Sequence, residues 1–293
     1  MITSDAFLAI GATHAMCEDY IRTGIIGQHI GEDVPFAIVS DGCSGSPNTD
    51  IGSRLLTIAA EKTIKTIHSL NSALSFGTDY RSLGFIISNE ANQLNAGNTV
   101  TPKQCLDATL IMMAGMKTVY VYGDGYIILQ FTSGRIIIIE LSCYKGAPPY
   151  LSYQTQPERL DMYNSKVPKA AIKVKAWELN GGPVIEFNGW EFGYQGGKFQ
   201  FNVSELIHVD IGSFEEITTT LISSDGLGSF IHVPTGEQVP VDDIVAKLFD
   251  RMPNHGKFIQ RRAKRVLKEL AKDQIVHNDD VSIAGMTWRE DQV

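Results

Sequence analysis

Apolar residues occur along this chain in short bursts that end on polar or acidic residues, interrupted by stretches of helical period. Ala6–Ala12 and Pro35–Ser40 are such bursts, each followed closely by acidic residues, and both read as buried strands ending at a polar rim. From Ile51 to Leu70 the pattern changes. Leu55, Ile58, Ala59, Thr63 and Ile67 are mostly three or four residues apart, which predicts an amphipathic helix. Tyr80–Leu94 reads as a second helix with Leu83, Phe85, Ile86, Ile87 and Ala91 on a broad apolar face, and Asn95–Pro102 is a turn-rich break.

A succession of strands is expected next: Thr109–Met113, Thr118–Tyr122, Tyr126–Phe131 and Arg135–Leu141. Gly123-Asp-Gly125 and Thr132-Ser-Gly134 suit tight hairpin connections, so the segment reads as an antiparallel meander. Cys143–Ile211 is rich in Gly, Pro and Tyr and gives no pattern for a separate core. Ile217–Ser223 reads as a strand, Val241–Phe249 and Gln260–Lys272 as helices, and Val281–Trp288 as a last strand. Helix pairs around antiparallel strands make this an α+β, layered fold.

Composition narrows the picture. A chain of 293 residues, 43% of them hydrophobic, has room for one large domain or two modest ones and excludes intrinsic disorder. Acidic residues outnumber basic ones 33 to 25, giving net charge −8, which disfavours a global grip on nucleic acid or anionic lipid. No apolar run approaches the ~18–20 residues of a membrane span. The first ten residues carry Asp5 and no basic region, unlike a secretory signal. The four cysteines (Cys17, Cys43, Cys105 and Cys143) form no Cys-x-x-Cys pair, so reduced thiols and a cytoplasmic location are the expectation.

The chemistry lies in a recurrence. Three predicted strands end in Asp-Gly: Asp41-Gly42, Asp124-Gly125 and Asp225-Gly226. Asp279-Asp280 precedes the last strand, and Glu18-Asp19 follows the first. Asp-Gly is a common turn dipeptide, but strand ends of one sheet can converge, and three such ends with two further acidic pairs point to a carboxylate rim. The glycines would permit close backbone approach or positive φ. Clustered carboxylates repel unless cations neutralise them, and oxygen-only ligation selects hard ions such as Mg²⁺ or Mn²⁺.

These residues resemble the signature of the metal-dependent type 2C protein phosphatases, the PPM family, in its bacterial branch. Ala37-Ile-Val-Ser-Asp-Gly-Cys-Ser-Gly-Ser46 and Ile222-Ser-Ser-Asp-Gly-Leu227 resemble its Asp-Gly motifs, and Gly123-Asp124 its Gly-Asp motif. Asn278-Asp-Asp-Val-Ser-Ile283 resembles its C-terminal strand opening, and Glu18-Asp19 its early acidic pair. The motifs occur in family order and span residues 14 to 283.

The resemblance implies a four-layer αββα sandwich of two antiparallel sheets flanked by helix pairs. It also implies a single catalytic domain over residues 1–293, with a variable flap region around 143–211. It implies a serine/threonine protein phosphatase in which a water activated by two Mn²⁺ or Mg²⁺ ions attacks phosphoserine or phosphothreonine. Asp41 would bridge both ions and Gly42 ligate through its carbonyl. Asp225 and Asp279 would complete one shell, Glu18 and Asp19 would hold the other ion, and Asp124 would serve a weaker third. The implied partners are a phosphorylated protein substrate and a cognate Ser/Thr kinase, with no nucleic acid or membrane, for a monomeric enzyme.

Two positions depart from the family pattern. His14 stands where many members carry a phosphate-binding Arg, and it reads either as a catalytic phosphate contact or as a structural histidine. Cys43 replaces a His proposed as general acid and reads as a small loop residue. They leave a second function open, a pseudophosphatase that binds a phosphoprotein or senses metal; a hydrolase of small phosphorylated substrates is a third. Elsewhere, the cations between Lys257 and Lys268 read as the solvated face of a helix, Trp177 and Trp190 as local core, and the glycosylation pattern Asn202-Val-Ser204 as idle.

Overall fold

The four predicted helices and most predicted strands form where the periodicity places them. The computed structural model describes residues 2–27, 34–70, 80–96, 103–115, 118–167, 172–179, 185–187, 191–194, 197–200, 207–210 and 217–288. Trp190 and Asn202 lie outside the described residues. The chain opens with β1 (Ile2–Ala9), β2 (Tyr20–Ile26), β3 (Val34–Ser40), α1 (Thr49–Leu70) and α2 (Tyr80–Ala96). Then come β4 (Leu110–Ala114), β5 (Thr118–Tyr122), β6 (Gly125–Phe131), β7 (Ile136–Cys143) and α3 (Pro157–Lys166). Short strands follow: β8 (Ile172–Glu178), β9 (Ile185–Phe187), β10 (Glu191–Tyr194), β11 (Gly197–Gln200) and β12 (Ile207–Asp210). The C-terminal part holds β13 (Ile217–Ser223), β14 (Phe230–His232), β15 (Glu237–Gln238), α4 (Val241–Phe249), α5 (Phe258–Lys272), β16 (Ile275–His277) and β17 (Val281–Trp288).

Two antiparallel sheets pack face to face. One has the order β1-β17-β13-β6-β7-β8-β9 and the other β12-β5-β4-β3-β2. Helices α1 and α2 cover the outer face of the five-stranded sheet, while α4 and α5 cover that of the seven-stranded sheet, giving the αββα order. The double cover explains the run Ile136–Ile139. Ile137 and Ile139 face the core between the sheets, whereas Ile136 and Ile138 face the core under α4 and α5, so alternation along the strand vanishes. Trp177 packs at the margin of that second core and donates its indole N–H to Asp242, as expected of local core.

The meander is not one sheet. β4 and β5 belong to the five-stranded sheet, β6 and β7 to the seven-stranded one. Thr132–Gly134 does turn a hairpin, but Gly123-Asp-Gly125 carries the chain from one sheet to the other. Gly123 and Gly125 reach φ of +126° and +133°, backbone that L side chains rarely adopt. The first strand is also displaced, because β1 pairs along β17 from Ile2↔Trp288 to Ala9↔Val281 and loses its partner beyond that point. In the Gly- and Tyr-rich region β8 and β9 extend the seven-stranded sheet, β12 extends the other, and α3 buries no residue.

Helix α5 begins without an acidic residue in its first turn, and Lys257 provides no side-chain cap. The buried Asp5 of β1 supplies both, accepting the Gln260 N–H at 2.9 Å and tying the helix layer to the sheet. Asp5→Ala should therefore destabilise the fold by about 1–2 kcal/mol, read as a fall of about 2–4 °C in Tm by calorimetry.

Candidate functional site

Strand register gathers the acidic residues at one rim. Tyr20 opens β2 opposite Ser40, the last residue of β3, so Asp19 and Asp41 leave the sheet side by side. Ser223 ends β13 opposite Tyr126 of β6 and Ile283 of β17, which brings Asp225 beside the Asp124 crossover and the Asp279-Asp280 turn. Ala9 ends β1 opposite Val281, delivering the loop that carries His14 and Glu18 to the same edge.

Backbone hydrogen bonds then fix the loops. The Asp41 carbonyl accepts the Thr109 N–H at 2.8 Å, the Gly42 N–H donates to the Glu18 carbonyl at 3.2 Å, and the Cys43 N–H donates to the Asp107 carbonyl at 2.9 Å. Across the rim, the Ser224 N–H donates to the Ser282 carbonyl at 3.1 Å, and a side chain at Gly226 would overlap the Asp280 carbonyl. The close approach expected of the Asp-Gly glycines is thus realised at Gly226.

The carboxylates sit in one another's fields. Burial first, then the charges of Asp19 and Asp225, push the Asp41 carboxyl well above its ordinary range. Burial pushes Asp19 up to about 7. Burial and the Asp225 charge push Asp124 to about 7 as well, and the same two causes raise Asp279. Asp19 is 2% exposed, and the Ser224, Ser282 and Asp41 side chains that face its carboxylate oxygens make no hydrogen bond of good geometry with them. An orphaned buried carboxylate is costly, and it fits a cation-binding role better than a structural one. The nearby donors are carboxylate and carbonyl oxygens, which suit Mg²⁺ or Mn²⁺. Among the described residues, no three His, Cys, Asp or Glu side chains form a ready-made cage for an ion.

Glu18 is placed differently from its neighbour. Its Oε1 accepts the Thr49 hydroxyl at 3.3 Å, and its own N–H donates to Asp280. His14 lies between two carboxylates, with Nε2 3.3 Å from Asp279 Oδ1 and Nδ1 3.2 Å from Asp280 Oδ2. Burial opposes its charge, but Asp280, Asp279 and Glu18 outweigh it and raise the imidazole above its ordinary value. A cleft of about 320 Å³ lined by Thr13, His14, Ser229, Gln238 and Asp279 opens beside this pair.

The residue that the motif reading left without a role is Asp280. It is 1% exposed and accepts N–H bonds from Gly11 at 2.7 Å and Glu18 at 2.5 Å, clamping the β1–β2 loop to the start of β17. Burial pushes its carboxyl up, but those two bonds and His14 outweigh it and hold it below its ordinary range. Adjacent residues entering a strand point to opposite sides, so one member of the Asp279-Asp280 pair had to turn inward.

A pH dependence follows from the raised carboxyls. The folded protein keeps protons on Asp19 and Asp124 up to about pH 7, whereas the unfolded chain loses them near its ordinary value of 3.8. The folded state therefore binds more protons between these limits, and stability falls as pH rises through the window. In EDTA, the Tm should drop on going from pH 5 to pH 7.5; a Tm that rises over this interval would contradict the burial of these carboxyls.

No protein-family model matches the chain, and no curated protein sequence matches it. Solved structures do. A serine/threonine phosphatase of S. agalactiae superposes with a TM-score of 0.53 at 12% identity, covering 99% of this chain and 100% of that one. The serine/threonine phosphatase Stp1 from Staphylococcus aureus gives 0.51 at 13% identity, covering 99% and 96%. A bacterial serine phosphatase gives 0.50 at 12%, covering both chains in full. At such identities the likeness establishes a shared fold: this chain has the layered α+β fold of bacterial serine/threonine phosphatases.

Proposed function

We propose that the chain is a metal-dependent serine/threonine protein phosphatase, a single catalytic unit over residues 1–293 in which residues 143–211 vary on the substrate side. The observation that carries this reading is the buried, hydrogen-bond-free carboxylate of Asp19 beside Asp41, at the rim of a fold shared with such phosphatases. Asp41 would serve both ions and Gly42 would ligate through its carbonyl; Asp225 and Asp279 would complete one ion's shell, Glu18 and Asp19 would hold the other directly or through water, and Asp124 would serve a weaker third. Two Mg²⁺ or Mn²⁺ ions, when bound, would supply a water acidic enough to attack phosphorus at neutral pH and would neutralise phosphate charge.

The chain's own residues do the rest. Asp280 fixes the loop bearing Glu18 and Asp19 through two backbone bonds. His14, charged between Asp279 and Asp280, has N–H donors at the edge of the 320 Å³ cleft and would turn one of them toward a phosphate oxygen. The substrate is a phosphoprotein made by a Ser/Thr kinase, and the enzyme acts as a cytoplasmic monomer. Among the described residues, no helix is long and apolar enough to cross a membrane.

One observation favours a second reading, a phosphoprotein-binding module without turnover: each His14 nitrogen already lies within 3.3 Å of a carboxylate oxygen. Hydrolysis of a phosphothreonine peptide across a Mn²⁺ titration separates the two. We expect turnover that requires the ion, is abolished by EDTA, and falls by about a hundredfold or more in Asp41→Asn. Peptide binding with no turnover at any Mn²⁺ concentration would favour the binding module.

A further inference from the structure

A cleft of about 410 Å³ lies between the turn at Tyr144–Gly146 and α3, in the size range of pockets that hold a small ligand or a few side chains. Tyr144, Lys145, Tyr153, Met162, Tyr163 and Lys166 line it. No acidic side chain does, which makes it a local inversion of charge in a chain of net charge −8. Lys145 and Lys166 are exposed, and neither forms an ion pair with a described carboxylate. Lys145 also holds φ +53°, an uncommon backbone for a non-glycine residue, with its ammonium 5.3 Å from the Tyr144 ring centre. Tyr144 and Met162 expose 37% and 52% of their surface at the mouth.

The cleft is tied to the loop carrying Asp41. Arg159, on its inner wall, grips Asp107 with both terminal nitrogens at 2.8 and 2.5 Å. Asp107 also accepts the Ser46 and Ser152 hydroxyls at 2.9 and 2.8 Å, and its carbonyl takes the Cys43 N–H. Arg159 lies 4.7 Å from the Tyr153 ring centre, and Tyr153 meets Tyr150 edge-on at 5.6 Å. The guanidinium charge is thus spent on Asp107, and the two lysines remain for a ligand. Two links, the Cys43 N–H to the Asp107 carbonyl and Asp107 to Arg159, join the wall of the cleft to the loop that carries Asp41.

We propose that this cleft is a recognition subsite for acidic residues flanking the phosphoresidue of a protein substrate, an inference that rests on the phosphatase reading of the rim. The lysines supply charge complementarity, and the Tyr and Met walls cover the apolar stem of a Glu or its neighbour. The test uses two fluorescent phosphothreonine peptides that differ only in carrying Glu or Lys at the flanking positions. Affinity is read by anisotropy and turnover with Mn²⁺, with p-nitrophenyl phosphate as a small substrate for the unmodified protein.

The Glu-flanked peptide should bind about three- to tenfold more tightly, with the difference in KM rather than kcat, and Lys145→Glu with Lys166→Glu should abolish or reverse it. Thermal melting verifies that the double variant is folded, and the single Lys166→Ala variant, at an exposed position of α3, should halve the preference or more. Equal affinity for the two peptides, or a preference that survives both lysine changes, overturns the subsite. No metal-dependent turnover of any substrate, with the lysine-dependent preference intact, overturns the phosphatase reading and leaves acidic-peptide binding standing.

Discussion

Carboxylates repel, and one rim of this sandwich brings Asp19, Asp41, Asp124, Asp225 and Asp279 into each other's fields. That repulsion is contained by a frame that leaves the oxygens of Asp19 uncommitted. The loops are fixed through Thr109, Ser224, Ser282 and Asp280, all of them acting on backbone groups. Hydrogen bonds to the backbone cost the rim none of the Asp19 oxygens, and the proton affinity of Asp280 is lowered where those of Asp19, Asp41, Asp124 and Asp279 are raised. Asp280, with two N–H bonds and His14, is a structural carboxylate, whereas Asp279 takes one N–H, from Asp280, and remains half-buried at the rim.

The layers of the fold serve this rim. Burial on both faces holds the strands of the seven-stranded sheet in register, and register sets which strand ends meet. The crossover at Gly123–Gly125 places Asp124 between the two sheets rather than on either. Farther out, the Asp107–Arg159 pair joins α3 to the Asp41 loop, so a segment that buries no residue of its own is held by a bidentate ion pair.

The helices and the rim were legible because strong local signals encode them: three- and four-residue apolar spacing for α1, α2, α4 and α5, and Asp-Gly at strand ends for the carboxylates. What escaped is set by partners distant in sequence. β2 mixes Arg22, Thr23 and Gly24 with isoleucines, as an edge strand covered by a neighbour can, and so it shows no clean alternation. Gly123-Asp-Gly125 has the composition of a hairpin, and only the packing of two sheets decides that it is a crossover. Asp107 lies in no motif, and Asp280 sits inside one that gives it no role, because their roles depend on N–H groups of Gly11 and Glu18 and on the guanidinium of Arg159.

The central claim is that the uncommitted carboxylates form a site for a pair of divalent cations. Calorimetric titration of the full chain with Mn²⁺ at pH 6.5, in the absence of any phosphate ester, tests it most directly. The account predicts at least two ions bound per chain, with proton release as Asp19 and Asp124 give up the protons that burial holds there to about pH 7. Binding of no ion under these conditions would contradict it.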